Sequence, residues 1–215
     1  MPRPTLNAIE TRVAGALVEK AMATPEHYPM SLNSITTACN QKTGRDPVTE
    51  LSDSAVADAL AALHRRSLVG TVSGTGVRVA KYRHNLDGAL DLSKRELAVL
   101  AVLMLRGAQT PGELRTRSER LFAFESVEGV EEALWLLSDR PEPVAYRLPR
   151  QPGHSADRWQ HGLAGEPDLT APAPVAGAPE GAVATALARE ERIDALEGRV
   201  AALEADVSRL RELLD

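Results

Sequence analysis

One pattern constrains this chain more than any other: the same succession of helix and strand signals runs twice through residues 1–166. The first run opens with Leu6, Ile9, Val13 and Leu17, apolar at helical spacing, and the second with Leu92, Leu97, Val99, Leu100 and Leu103. Ser93, with Glu96 three residues on, gives the second opening helix the spacing of a capping box. A middle helix follows in each run, over residues 31–40 and 110–122. Val56, Leu60 and Leu63 then match Val130, Leu134 and Leu137, position for position. Behind each matched helix come two short strand-like stretches around a turn, 68–72 with 77–82 and 144–148 with 157–161. Chance similarity would not preserve one order of elements twice.

Three helices and a hairpin, in that order, are the parts of a winged helix, whose third helix and hairpin usually contact DNA. The fold class expected is mainly α with small β-hairpins (α+β), as tandem winged-helix domains over 1–88 and 89–166. The opening helices lie 86 residues apart (Glu10 to Glu96) but the third helices only 74 (Val56 to Val130). The first run therefore carries a longer turn before its third helix, Asn40 to Pro47. Gly44 suits a left-handed residue there, and Pro47 bars continuation of the helix.

Composition breaks at Glu166. Residues 167–182 are rich in Pro, Ala and Gly without periodicity, which predicts an extended linker, and 183–215 read as helix. From Ile193 the apolar residues fall at Leu196, Val200, Leu203, Val207, Leu210 and Leu214, alternately three and four apart. Ile193, Val200 and Val207 take position a and Leu196, Leu203 and Leu210 position d, the pattern of a parallel two-stranded coiled coil. The flanking pairs Arg192–Glu197, Arg199–Glu204 and Asp206–Arg211 are opposite in sign. A homodimer through residues 190–215 is expected; the alternative is an amphipathic helix packed on its own chain.

Composition excludes several functions. Aromatic residues make up 3% of the chain, too few for base-stacking platforms of single-strand binders. One cysteine, Cys39, leaves no disulfide framework or multi-Cys metal site, and it reads as a small apolar core residue. The five histidines are scattered without ligand spacing, so no metal and no cofactor are expected. Phosphate-binding glycine loops, GxSxG and HExxH are absent, so the chain does not read as an enzyme. The longest apolar run, Leu97 to Leu105, is about half a membrane span. The first residues, Met-Pro-Arg-Pro, lack a signal-peptide core. A cytoplasmic protein with no membrane partner is expected.

Four segments carry a family resemblance: Thr24 to Asn33, Thr37 to Val48, Thr71 to Gly74 and Leu105 to Arg115. On these the chain resembles the YceH-like family of uncharacterised bacterial proteins across about residues 5–166. The resemblance implies a tandem winged-helix fold and supplies no activity or site residues.

Charge points to surfaces. The net charge is −5, yet residues 1–88 hold ten Lys and Arg against eight Asp and Glu, a mildly basic balance. Lys42 and Arg45 in the long turn, with Arg78, Lys81 and Arg83 on the first hairpin, form the expected positive patch, suited to the phosphates of double-stranded DNA. For the long turn the competing reading is that its Asn and Gln cap helix ends and satisfy buried carbonyls. The third helices oppose DNA: Ser52, Asp53, Ser54 and Asp58 replace base-reading residues in the first. In the second, Glu125, Glu128, Glu131 and Glu132 crowd the same region. Two functions remain: a winged-helix, regulator-like DNA-binding protein, or a scaffold that binds a protein partner through the acidic third helices.

Overall fold

The computed structural model describes residues 4–72, 79–150 and 156–167. Helix α1 (Ala8–Ala23) begins where the Asn7 side chain accepts from the Glu10 amide at 2.8 Å and the Glu10 carboxylate accepts from the Asn7 amide at 2.9 Å. Two of the unpaired first-turn amides are thereby satisfied. The same reciprocal cap opens α5 (Lys94–Arg106) at Ser93 and Glu96, and α6 (Pro111–Ser118) at Thr110 and Glu113. Single serine caps, Ser31 and Ser52, start α2 (Leu32–Cys39) and α3 (Asp53–Arg65). Helix α7 (Val127–Ser138) is the counterpart of α3. The short α4 (Leu86–Leu90) joins the halves.

Strands β1 (Met30–Ser31), β2 (Val69–Val72) and β3 (Lys81–His84) form an antiparallel sheet in the order β1-β3-β2, with Val69 opposite His84 and Val72 opposite Lys81. In the second half β4 (Ala145–Arg147) pairs with β5 (Trp159–His161). Gln109 and Trp159 exchange backbone hydrogen bonds of 2.9 and 2.7 Å. That bridge precedes α6 as β1 precedes α2, so the repeat reaches the third strand position. The fold is α+β, mainly helical, as the spacing predicts.

The halves share one core. Residues Leu97–Leu105 of α5 are buried all round, the condition of a helix covered on every side. Helix α1 covers one side, and α6 and α7 pack on it too. A Cβ at Gly15 would stand 3.0 Å from Leu105 Cγ and 3.2 Å from Met104 Cβ, so glycine is what lets α1 and α5 approach this closely. The Leu6 amide donates to the Leu163 carbonyl at 2.6 Å, and the Asp46 amide to the Leu105 carbonyl at 2.9 Å. Residues 88 and 89 lie inside α4, and one apolar cluster runs through both halves because their opening helices bury each other.

Other differences from the sequence reading are local. The middle helix of the second half ends at Ser118, not 122, because the Leu121 and Phe122 amides both turn back onto the Ser118 carbonyl at 2.7 and 2.8 Å. Strand β3 extends through Arg83 and His84, and α4 has no counterpart in the sequence reading. The described residues all belong to one compact unit. The expected linker from residue 168 and the coiled-coil positions Ile193, Leu196, Val200, Leu203, Val207, Leu210 and Leu214 lie outside the described residues. Among the described residues no helix is long and apolar enough to cross a membrane.

Candidate nucleic-acid interface

Helix α3 buries Val56, Ala59, Leu60 and Leu63, the face expected from its spacing. Its opposite face exposes Asp53, Ser54, Asp58 and Ala61, with Arg65 at the end. Strand alternation then sorts the hairpin: Lys81 and Arg83 are exposed, while Tyr82 and His84 turn inward. Neither Lys81 nor Arg83 makes an ion pair among the described residues. Gly70, opposite Arg83, leaves room for its side chain; a Cβ there would lie 3.4 Å from Arg83 Nε.

The strand's inner face is anchored. The His84 amide donates to the Tyr28 hydroxyl, and the two rings lie 6.0 Å apart. Burial pushes the Tyr28 phenol up to about 12. It also lowers the His84 imidazole, although Asp87 at 3.4 Å pulls the other way. The two cations thus stand on a strand fixed from beneath.

The long turn corrects the expected patch. Arg45 is not on the surface: its side chain is 0% exposed. Its Nη1 donates to Glu19 Oε2 at 2.8 Å, its Nη2 to Glu19 Oε1 at 3.0 Å, and its Nε and Nη2 to the Ala38 carbonyl at 3.0 and 2.8 Å. It is a brace that closes the end of α2 and ties it to α1, so it is unavailable to a phosphate. Burial would raise the Glu19 carboxyl, but hydrogen bonding and charge from Arg45, with help from Lys20, hold it below the usual carboxylate range. Asn40 pairs reciprocally with the Leu51 backbone, both bonds at 2.8 Å. For Asn40 the capping role is therefore the one observed. Cys39 is buried beside them, its thiol pushed up to about 11 by burial, which keeps it protonated at neutral pH.

Lys42 remains exposed, in a cleft with the ends of α5 and α6 and apart from the hairpin. The two places connect along α2. Lys20, Thr24 and Gln41 border both the cleft and a shallow hollow over α2. His27 and Ser34 border that hollow and a second one that reaches Lys81. Arg78 lies outside the described residues. The structure thus keeps Lys81 and Arg83 together, sets Lys42 further along the same surface and removes Arg45. Sequence reasoning passed over Lys20, Arg106, Arg117 and Arg120, which come from three segments and meet only in the fold.

The second half presents the opposite chemistry. Helix α7 exposes Glu128, Glu131 and Glu132, and Trp135 is 58% exposed beside Trp159 and Pro111. On the second hairpin Arg147 pairs with Asp157, and Arg150 Nε lies 3.4 Å from the same carboxylate. Those two cations share one carboxylate, whereas Lys81 and Arg83 have none among the described residues. Among the described residues no three His, Cys, Asp or Glu side chains are grouped to hold a metal ion.

What emerges is an α+β protein built on a duplicated plan of three helices and a hairpin. A family model described as a protein of unknown function, DUF480, matches residues 6–154. A UPF0502 protein of Geobacter sulfurreducens is 52% identical over 198 residues, covering 92% of this chain and 90% of that protein. UPF0502 proteins of Cronobacter sakazakii and Shewanella sp. MR-7 are each 44% identical, over 218 and 211 residues, with 97% and 96% of this chain and 94% of each relative covered. The chain belongs to this family of bacterial proteins, DUF480 or UPF0502, in agreement with the resemblance its sequence carries.

Proposed function

We propose that this chain is a tandem winged-helix protein that binds double-stranded DNA through phosphate contacts made by its first half. The observation that carries this reading is the pair Lys81 and Arg83, exposed on β3 and without an ion-pair partner among the described residues. The element order α1-β1-α2-α3-β2-β3 and the sheet order β1-β3-β2 support the winged helix. Because α3 exposes Asp53, Ser54 and Asp58 in place of Arg, Asn or Gln, the contacts fall on phosphates and not on base edges. Binding is then weakly sequence-dependent and strongly salt-dependent. A titration of duplex DNA from low to moderate salt tests this: a straight line of negative slope in log K against log salt supports it. No detectable binding at low salt ends it.

We also propose that residues 190–215 pair two chains in parallel through Ile193, Leu196, Val200, Leu203, Val207, Leu210 and Leu214, doubling the DNA contacts. Leu203→Asp should shift a dimer towards monomer in sedimentation equilibrium; a wild type monomeric at tens of micromolar contradicts the pairing. A protein partner is the second reading, and Trp135 favours it, since a tryptophan 58% exposed beside the exposed Glu131 suits a protein better than a polyanion.

A further inference from the structure

A cleft of about 600 Å3 opens where the ends of α1, α5 and α6 meet residues 41–44 of the long turn. Five cations line it: Lys20 and Lys42 from the first half, and Arg106, Arg117 and Arg120 from the second. Two carboxylates face them, and Glu19 is already held by Arg45 at 2.8 Å and Lys20 at 2.9 Å. Arg117 reaches Glu113 at 3.2 Å and Gln109 Oε1 at 2.7 Å. Lys42, Arg106 and Arg120 have no hydrogen-bond or ion-pair partner among the described residues.

Arg106 is the informative one. It is half-buried, and its guanidinium is held below its ordinary pKa by burial and by the positive charges of Arg117 and Arg45. Gly44, at φ 76°, stands so close that a Cβ would lie 3.5 Å from Arg106 Nη2. A cation removed from water among like charges is destabilised until an anion reaches it. Cations at helix C-termini complement the helix dipole, and that explains Lys20 on α1 or Arg106 on α5 taken singly. It does not explain why three unpaired cations from three segments converge on one recess.

We infer that this cleft is a binding site for a small ligand carrying two linked phosphoryl groups, a diphosphate. Two neighbouring phosphoryl groups match charges spread over Lys42, Arg106 and Arg120, and the Thr43 hydroxyl borders the same space as a further donor. No aromatic side chain lines the cleft, so recognition falls on the phosphoryl groups and not on a stacked base. With cations from both halves, a bound diphosphate ties the long turn to α5 and α6. The site lies apart from Lys81 and Arg83 and goes beyond the DNA reading.

Isothermal titration of the full chain with inorganic pyrophosphate, in low-salt buffer with sulfate as the control anion, tests it. The expected result is saturable one-to-one binding, tighter for pyrophosphate than for sulfate, with a concentration-dependent rise in melting temperature. Arg106→Gln should weaken it about tenfold or more, and the exposed Lys42→Gln and Arg120→Gln several-fold. Lys81→Gln should leave it unchanged. If Arg106→Gln does not fold, the two exposed variants carry the test. Absence of binding overturns the proposal, as does equal weakening by Lys81→Gln, which would mean diffuse charge attraction. If the cleft variants weaken duplex DNA and leave pyrophosphate untouched, the cleft is a DNA phosphate contact and the proposal is wrong. Loss of duplex binding in the wild type, with pyrophosphate binding intact, would break the DNA reading alone.

Discussion

The first half leaves its hairpin cations Lys81 and Arg83 without an ion pair among the described residues and exposes short side chains on its third helix, whereas the second ties Arg147 and Arg150 to Asp157 and places three glutamates and Trp135 on its third helix. Inside, the halves hardly differ: Val56, Leu60 and Leu63 sit buried as Val130, Leu134 and Leu137 do, and each sheet ends on an inward histidine, His84 or His161. Packing holds interior positions to one solution, because a close-packed core feels every methylene. Exposed positions carry no such constraint, so a duplicated scaffold can keep one surface cationic and turn the other acidic.

The buried brace of the first half separates the two most sharply. Arg45→Met leaves Glu19 largely buried without its guanidinium and should cost about 3 kcal/mol in urea unfolding. Breaking the exposed second-half pair with Arg95→Met, 3.2 Å from Glu132, should cost less than about 1 kcal/mol. Equal costs would show that the brace is no stronger than a surface pair.

The two histidines sharpen the comparison. Burial holds His161 at about 4; its Nδ1 and that of His84 both lack a hydrogen-bond partner among the described residues, but His84 has the Asp87 carboxylate at 3.4 Å. An unfolded histidine titrates near pH 6.5, so between 6.5 and 4 the unfolded chain binds the proton first. Stability from His161 is complete above about pH 6.5 and is lost as pH falls towards 4, by an amount on the order of 3 kcal/mol. His161→Leu should flatten that acid limb of the melting curve. A profile unchanged by the substitution would place the proton elsewhere.

A smaller effect contrasts two helix glycines. Gly15→Ala forces a Cβ to 3.0 Å from Leu105 Cγ and should destabilise by about 1 kcal/mol, overpacking outweighing better helix propensity. Gly129→Ala in α7 meets only ordinary contact, Phe124 at 3.5 Å, and should stabilise by roughly 0.5 kcal/mol. Stabilisation by both would mean that α1 and α5 can part at little cost.

What the sequence shows of this fold is what repeats at short range. The spacing of Val56, Leu60 and Leu63 marks a buried face, and Ser93 with Glu96 marks the start of α5, because helix periodicity and caps act within four residues. Elements too short for periodicity escape: the five residues of α4 and the two of β1. The site was half legible. Alternation placed Lys81 and Arg83 outward, but the burial of Arg45 depends on Glu19, 26 positions upstream, which no local pattern reveals. The cleft escaped for the same reason, since Lys42 and Arg106 meet only after α1 and α5 pack.

The central claim is that Lys81 and Arg83 of the first hairpin, and not Arg147 and Arg150, which share Asp157, bind duplex phosphates. The direct test compares two double variants of the full chain in a salt titration with duplex DNA, Lys81→Gln with Arg83→Gln against Arg147→Gln with Arg150→Gln. Removing the first pair should weaken binding uniformly across sequences and reduce the slope of log K against log salt by about 2, one per lost phosphate contact, while removing the second pair should leave the slope within error of the wild type. An unchanged slope for the first pair, or an equal loss for both, would contradict the assignment of DNA binding to the first half.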